Sequence, residues 1–322
     1  PDAWTITFNC VPGQPWDAGV ANSATYGRAD TGGCQLTAAL TSSATSVNVT
    51  TTGAAVWIDS PSYPTEFPFD VRTGGEVMRV TACTGAVRDT FTRTTSNGWG
   101  TAEVGGTWTS SGGDTSDFYT QGTEGVHGLN TVNVSRYSLI PAPSADVDLQ
   151  SSICTSVLAA GGPHYVGLIA RYLDGNNSYY ARLAFNTNQT VTLVIQKRVA
   201  GVQTDITTVT IPYTHTAFGF FTIRFQVIGS ALRAKAWSTG TPEPVAWQAT
   251  ATDTALTAAG SAGVRSMLSS ANTNTLPVNV SHADYYVLNP QTFTVTRSFN
   301  GVIKSHSSGQ PISLANPVYA AM

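Results

Sequence analysis

Residues 80–95, VTACTGAVRDTFTRTT, begin a strand that finds no partner close by in the sequence. Small and apolar residues alternate up to Cys83, a turn follows at Thr84 and Gly85, and strand-like character resumes at Asp89. Near the other end, PQTFTVTRSFNGVIKSH (290–306) shows the same threonine-rich alternation, and its Asn300-Gly301 pair predicts a hairpin between TFTVTRSF and VIKSH. Neither flank can bury a core by itself, so the two are read as halves of one small β-domain, residues 36–87 and 289–322. Residues 88–288 are then a guest, which requires its two ends to lie close together, as domain termini often do. Ahead of both, residues 1–35 hold one strand-like run, TITFNC (5–10), and a Gly-, Pro- and Asp-rich stretch. That segment is expected to dock as a strand on a neighbour or to complete a missing domain.

The guest reads as a series of short strands. YVGLIARYL, SYYARLAF, TVTLVIQKRV, FFTIRFQVI and ALRAKAW alternate with Gly, Asn and Asp turns, and no helical period runs through them. Charged residues are only 11% of the 322, so the Glu, Lys and Arg that clothe helices are scarce. The fold class is therefore all-β, a jelly-roll sandwich inserted into a small discontinuous β-domain. A net charge of −3 leaves no basic footprint for nucleic acid. No apolar run approaches the ~18 residues of a membrane span. Pro1 opens mid-pattern without a charged leader, so no signal peptide is expected, and the chain is expected to be a processed piece of something larger. The four cysteines show no CxxC spacing, which disfavours zinc. Cys10 and Cys34 would close a loop in an oxidising compartment; otherwise all four are buried thiols.

One hairpin can be registered outright. Gly229 and Ser230 form a Gly-first two-residue loop of type II′. The loop pairs Val227 with Leu232, Phe225 with Ala234 and Ile223 with Ala236 on one face. Gln226 then pairs with Arg233, Arg224 with Lys235 and Thr222 with Trp237 on the other. Arg224 opposite Lys235 is repulsive unless an acid or a ligand offsets it. Tyr180 and Arg182 alternate out of SYYARLAF in the same way. If the strands are neighbours, these residues with Arg233, Lys235 and Trp237 make a basic aromatic patch suited to sugar rings and acidic groups. The alternative is a solvated face balanced by Asp146 and Asp148.

Catalytic chemistry is not apparent. Asp146 and Asp148 share one strand face, but no third acid continues the pattern, and Glu103, Glu124 and Glu243 sit in loop-like sequence. The five histidines are isolated, and no GxSxG elbow occurs. Asp89 and Asp284, at the first and last strands of the guest, would share a structural calcium ion if those strands pair; turn capping is the alternative.

The flanks ATSVNVTTTGAAVWID, EFPFDVRTGGEVMRVTACTG and PQTFTVTRSFNGVIKSHSSGQPISLANP resemble the C-terminal module of minor tail proteins of phages that infect actinobacteria. WTITFNCVPGQPWD is similar to the end of the preceding tail segment. The centre, with DTFTRTTSNGWGTAEVGGTWT, VGLIARYLDGNNSYYARL and LRAKAWSTGTPEPVAWQATATD, resembles a concanavalin A-like, laminin G-type jelly roll. The resemblance implies a virion tail component, assembled with other tail subunits as a homo-oligomer, a trimer being the expected form. Its jelly roll would engage host cell-wall or surface glycans. Two other readings stay open: a tail depolymerase acting on surface polysaccharide, and an assembly domain without a ligand.

Overall fold

A computed structural model describes residues 34–51, 57–61, 64–142 and 144–315. TITFNC and Cys10, with everything else expected of residues 1–33, lie outside the described residues. The described strands are, in chain order, β1 (Cys34–Leu36), β2 (Ser46–Thr51), β3 (Phe69–Thr73), β4 (Glu76–Asp89), β5 (Thr109–Ser111), β6 (Phe118–Gln121) and β7 (Glu124–Leu129). They continue with β8 (Arg136–Pro141), β9 (Val147–Thr155), β10 (His164–Asp174), β11 (Asn177–Phe185), β12 (Thr190–Val199) and β13 (Val202–Thr214). The last are β14 (Phe221–Ile228), β15 (Ala231–Ser238), β16 (Ala249–Thr252), β17 (Ser261–Leu268), β18 (Val278–Thr296) and β19 (Ser313–Leu314). Among the described residues there is no α-helix, only 3-10 turns at Pro64–Glu66 and Thr115–Asp117.

Two compact units result. One is Ala86–Leu288, and the other joins the described residues up to Gly85 to those from Asn289 onward. The boundaries fall inside the long strands β4 and β18.

In the split unit the strands run in the order β1-β2-β18-β4-β3-β19. Alternation sends Val47, Val49, Met78, Val80, Phe293 and Val295 into a common core. Trp57 stacks on Phe69 at 5.5 Å between ring centres and meets Phe293 edge-on at 5.4 Å. Its indole Nε1 donates to Cys34 Sγ at 3.1 Å. Cys83 is buried in the same core, where desolvation pushes its thiol well above the ordinary value. The hairpin expected around Asn300 and Gly301 is only half formed. The turn is present, with Gly301 at φ +77, but residues 302–305 join no strand. Donors on either side of the turn converge on a carboxylate instead. Buried Glu76 accepts from Arg297 at 2.6 and 2.7 Å, His306 Nε2 lies 2.8 Å from its Oε2, and Lys304 N donates at 3.3 Å.

The inserted unit is a two-sheet jelly-roll sandwich. One sheet has the order β16-β15-β14-β9-β18, with β7 also on β18 and β6 on β7. The other runs β13-β12-β11-β10-β17-β8-β5. Phe221, Ile223, Phe225 and Val227 of β14 meet Leu183, Leu193, Val166 and Leu168 of the opposite sheet in a single core. Each such side chain contributes roughly 1.5–3 kcal/mol on burial. The motif RDTFTRTTSNGWGTAEVGGTW adds its aromatic rings to the same core. Phe91, Trp99 and Trp108 pack mutually at 5.1–5.9 Å, and a Cβ on Gly125 would come within 3.0 Å of the first two rings, so β7 needs a glycine there.

Candidate functional site

The two outer faces of the sandwich differ. On the β14–β15 hairpin the observed register is the one read from the Gly229–Ser230 loop, and it places Thr222, Arg224, Gln226, Arg233, Lys235 and Trp237 on one outer face. This face is sealed. Asp148 of β9, itself fully buried, accepts from Arg224 at 2.9 and 2.7 Å and from Gln226 at 3.0 Å. Glu243, from the 239–248 segment that folds over the strands, lies 2.8 Å from Arg224 and 2.7 Å from Lys235. Lys235 also donates to the Pro244 carbonyl at 2.8 Å, and the Trp247 ring lies 4.7 Å from its ammonium. Burial pushes the Glu243 carboxyl up, but Arg224 and Lys235 outweigh it and hold the group below its ordinary range.

The expectation of one continuous patch is therefore corrected. Arg224, Lys235 and Trp237 are buried and committed within the chain, and Arg233 is half-buried with a long contact to Gln226 at 3.5 Å. Tyr180 and Arg182 lie on the other sheet, because β11 joins β10 and β12 and not β14.

The outer face of that seven-stranded sheet is built in rows of paired residues. Leu139, Gly263, Ile169, Tyr180, Gln196 and Asp205 form one row. The next row is Tyr137, Arg265, Gly167, Arg182, Val194 and Thr208. Met267 and Tyr165 begin a third, and Tyr172 stands near Tyr137, with ring centres 5.6 Å apart. Arg265 on β17 donates to Gln203 on β13 at 3.2 and 3.3 Å, four strands away. A flat sheet would separate those strands by roughly 19 Å, so the face is curled into a trough. The curl explains why Ile169 and Tyr180 are 1% and 3% exposed although they point away from the core.

Aromatic rings and guanidinium groups alternate along the trough. Arg182 lies 4.4 Å from the centre of the Tyr165 ring, and Arg265 lies 5.0 Å from that of Tyr180. Tyr180 donates its hydroxyl to the Arg265 carbonyl at 2.8 Å, and burial raises its phenol, which keeps it a neutral donor. Tyr137, Tyr165 and Tyr172 are half-buried with accessible ring surface. At one end a shallow depression of about 360 Å³ opens between Tyr172, Leu173, Pro141 and Ser261. This arrangement can stack planar or ring-shaped ligands and bond their hydroxyls or acids.

No family model matches the chain, and no curated protein does. Solved structures do align with it. The carbohydrate binding module CBM66 from Bacillus subtilis aligns over 55% of this chain and 92% of its own, at 15% identity and a TM-score of 0.38. A beta-1,3-glucanase from Mycobacterium marinum aligns over 63% and 98%, at 11% identity and 0.43. A xylan beta-1,4-xylosidase from Bacillus halodurans C-125 aligns over 52% of this chain but only 33% of its own, at 12% identity and 0.39. These are likenesses of overall shape. The jelly roll itself rests on the strand order and burial given above.

The remaining candidate residues have other duties. Asp89 accepts from Arg93 at 2.7 Å through each oxygen and from Trp108 Nε1 at 2.6 Å, so its carboxylate anchors the tryptophan cluster. Asp284 is exposed at φ +50, with the Tyr286 hydroxyl 3.5 Å away. The calcium pairing of Asp89 with Asp284 thus meets one carboxylate already saturated and one facing solvent. No group of three or more His, Cys, Asp or Glu suited to a metal occurs among the described residues. Asp146 accepts from Arg171 at 3.2 Å and from Gly229 N at 2.8 Å, so neither Asp146 nor Asp148 is disposed as a free acid or base. Sequence reasoning missed Tyr137, Tyr165, Tyr172, Arg198 and Arg265. The β10–β11 hairpin turns at Gly175-Asn176, and a bulge between Ala170 and Asp174 shifts the register ahead of that turn.

Proposed function

We propose that the chain is a tail component of an actinobacteria-infecting phage, and that its inserted sandwich binds a host-surface glycan in the trough of the seven-stranded sheet. The observation that carries the binding half is the contrast between the two outer faces. The β14–β15 face is covered by the chain's own Glu243 and Trp247, whereas the trough presents Tyr137, Tyr165, Tyr172 and Arg182 with no described element packed over them. Accessible tyrosine rings on a rigid sheet supply contact area for sugar rings at little entropic cost. The tail half rests on the resemblance of the flanks on either side of the insertion. Assembly as a trimer with other tail subunits follows from the same resemblance.

The binding half is tested by pull-down of the full chain with actinobacterial cell-wall glycan. Tyr165→Ala combined with Tyr172→Ala should weaken retention by about thirtyfold, as two stacking contacts of about 1 kcal/mol each imply. Arg233→Ala, on the sealed face, should leave retention unchanged. Equal retention of all three proteins, or none by the parent, would contradict the proposal.

A further inference from the structure

The charge of the trough indicates which class of glycan it takes. Three arginines, Arg182, Arg198 and Arg265, project onto this face, and each has a different degree of neutralisation. Arg182 lies 3.4 Å from the partly exposed Asp205. Arg265, only 6% exposed, has neutral acceptors alone: Ser135 Oγ at 3.0 Å, Gln203 Oε1, and Met267 Sδ at 3.9 Å. Arg198 stands beside Tyr180's row, paired with Ser178 and Gln203, and its buried Nε has no hydrogen-bond partner. The other carboxylate at this end, Asp174, already accepts from Asn176 N at 2.7 Å and from Asn177 Nδ2 at 3.0 Å. Three fixed cations thus face two carboxylates: Asp205 pairs with Arg182, and Asp174, already hydrogen-bonded, feels Arg198 through its charge alone, on a chain whose net charge is −3.

A buried guanidinium nitrogen without an acceptor is costly, and an arginine fork matches a carboxylate or phosphate in two parallel bonds. Charged acceptors give the stronger bond, so a ligand that brings its own negative charge gains most from this site. We infer that the trough binds an anionic saccharide, its acidic group held by Arg198 and its ring against Tyr172 and Tyr137. The inference rests on the glycan-binding reading above and narrows it from sugars in general to sugars bearing acid groups. Among the described residues Arg198 makes no ion pair at hydrogen-bond distance, and Asp174, which feels its charge, keeps its bonds to Asn176 and Asn177, so Arg198→Gln should leave the sandwich folded.

The experiment measures binding of the full chain to polygalacturonate, to its neutral methyl ester, to a glycosylated polyglycerol phosphate and to sugar-free polyacrylate. The expected result is at least about tenfold tighter binding of an anionic sugar polymer than of the methyl ester. That preference should fall with added salt and be largely lost in Arg198→Gln, whose thermal midpoint should match the parent. Tighter binding of the uronate assigns the acid to a carboxylate and of the phosphate polymer to a phosphate, and either supports the inference. Equal binding of the ester and the free acid, or an unchanged preference in Arg198→Gln, overturns it while leaving the glycan reading in place. Polyacrylate held as tightly as the sugars overturns it as mere charge attraction. Binding of no saccharide at all, neutral glycans included, removes the glycan reading as well.

Discussion

Arg224 and Lys235 face each other across neighbouring strands, and the chain answers that repulsion with two carboxylates. Asp148 is fully buried and engages the guanidinium through both oxygens, while Glu243 bridges the two cations from above. Removing Asp148 leaves a buried arginine half-compensated, so Asp148→Ala should destabilise the sandwich by about 3–5 kcal/mol in denaturant unfolding. Asp146→Ala should cost about 1 kcal/mol, since its partners are reached from a partly exposed edge. A stable Asp148→Ala protein that had lost the ability to cleave a polysaccharide would contradict the structural role and restore the depolymerase reading.

At the level of elements, the β14–β15 hairpin was fully legible because a two-residue loop with Gly first leaves no freedom of register. Its two faces followed from that alone. What covers the polar face was not legible. The 239–248 segment reads as loop, and its place is set by Glu243 and Trp247 meeting side chains on strands that precede it. The trough was legible only through Tyr180 and Arg182. Tyr165 and Arg265 join them through pairings of β10 with β11 and β17, and each of these pairings is interrupted by a bulge near residue 170. Asn300 and Gly301 mislead in the opposite direction. They make the expected turn, yet Glu76 and not a partner strand accepts from Ser298 N before the turn and from Lys304 N after it. The unfinished strand at residues 80–95 was read as a splice after residue 87, and the compact units divide between Gly85 and Ala86, inside β4.

At the scale of the folded molecule, the sandwich buries four histidines with no carboxylate partner among the described residues; His164 lies 2.9 Å from Asn274 Oδ1, and burial lowers it. His127 and His282 share Ser266 between the sheets, at 3.1 Å each, and His215 stacks on Phe185 at 3.9 Å. Burial lowers these three as well, His282 to about 3 and His215 to about 4. The unfolded chain takes up these protons below about pH 6.5, whereas the folded chain refuses them until those lower values. Stability is therefore greatest above pH 6.5 and declines as pH falls, by about 1.4 kcal/mol per pH unit for each histidine. Urea midpoints measured between pH 7.5 and 4.5 should fall steadily, and midpoints that rise toward pH 4.5 would contradict neutral buried imidazoles. The same sandwich keeps one outer face closed by its own side chains and, among the described residues, leaves the other uncovered. Hydrogen exchange of the full chain with and without actinobacterial cell-wall glycan tests that division directly. Added glycan should slow exchange in β10, β11 and the β12–β13 hairpin and leave residues 222–248 unchanged. Protection confined to residues 222–248, or none anywhere, would contradict the assignment of the trough as the binding face.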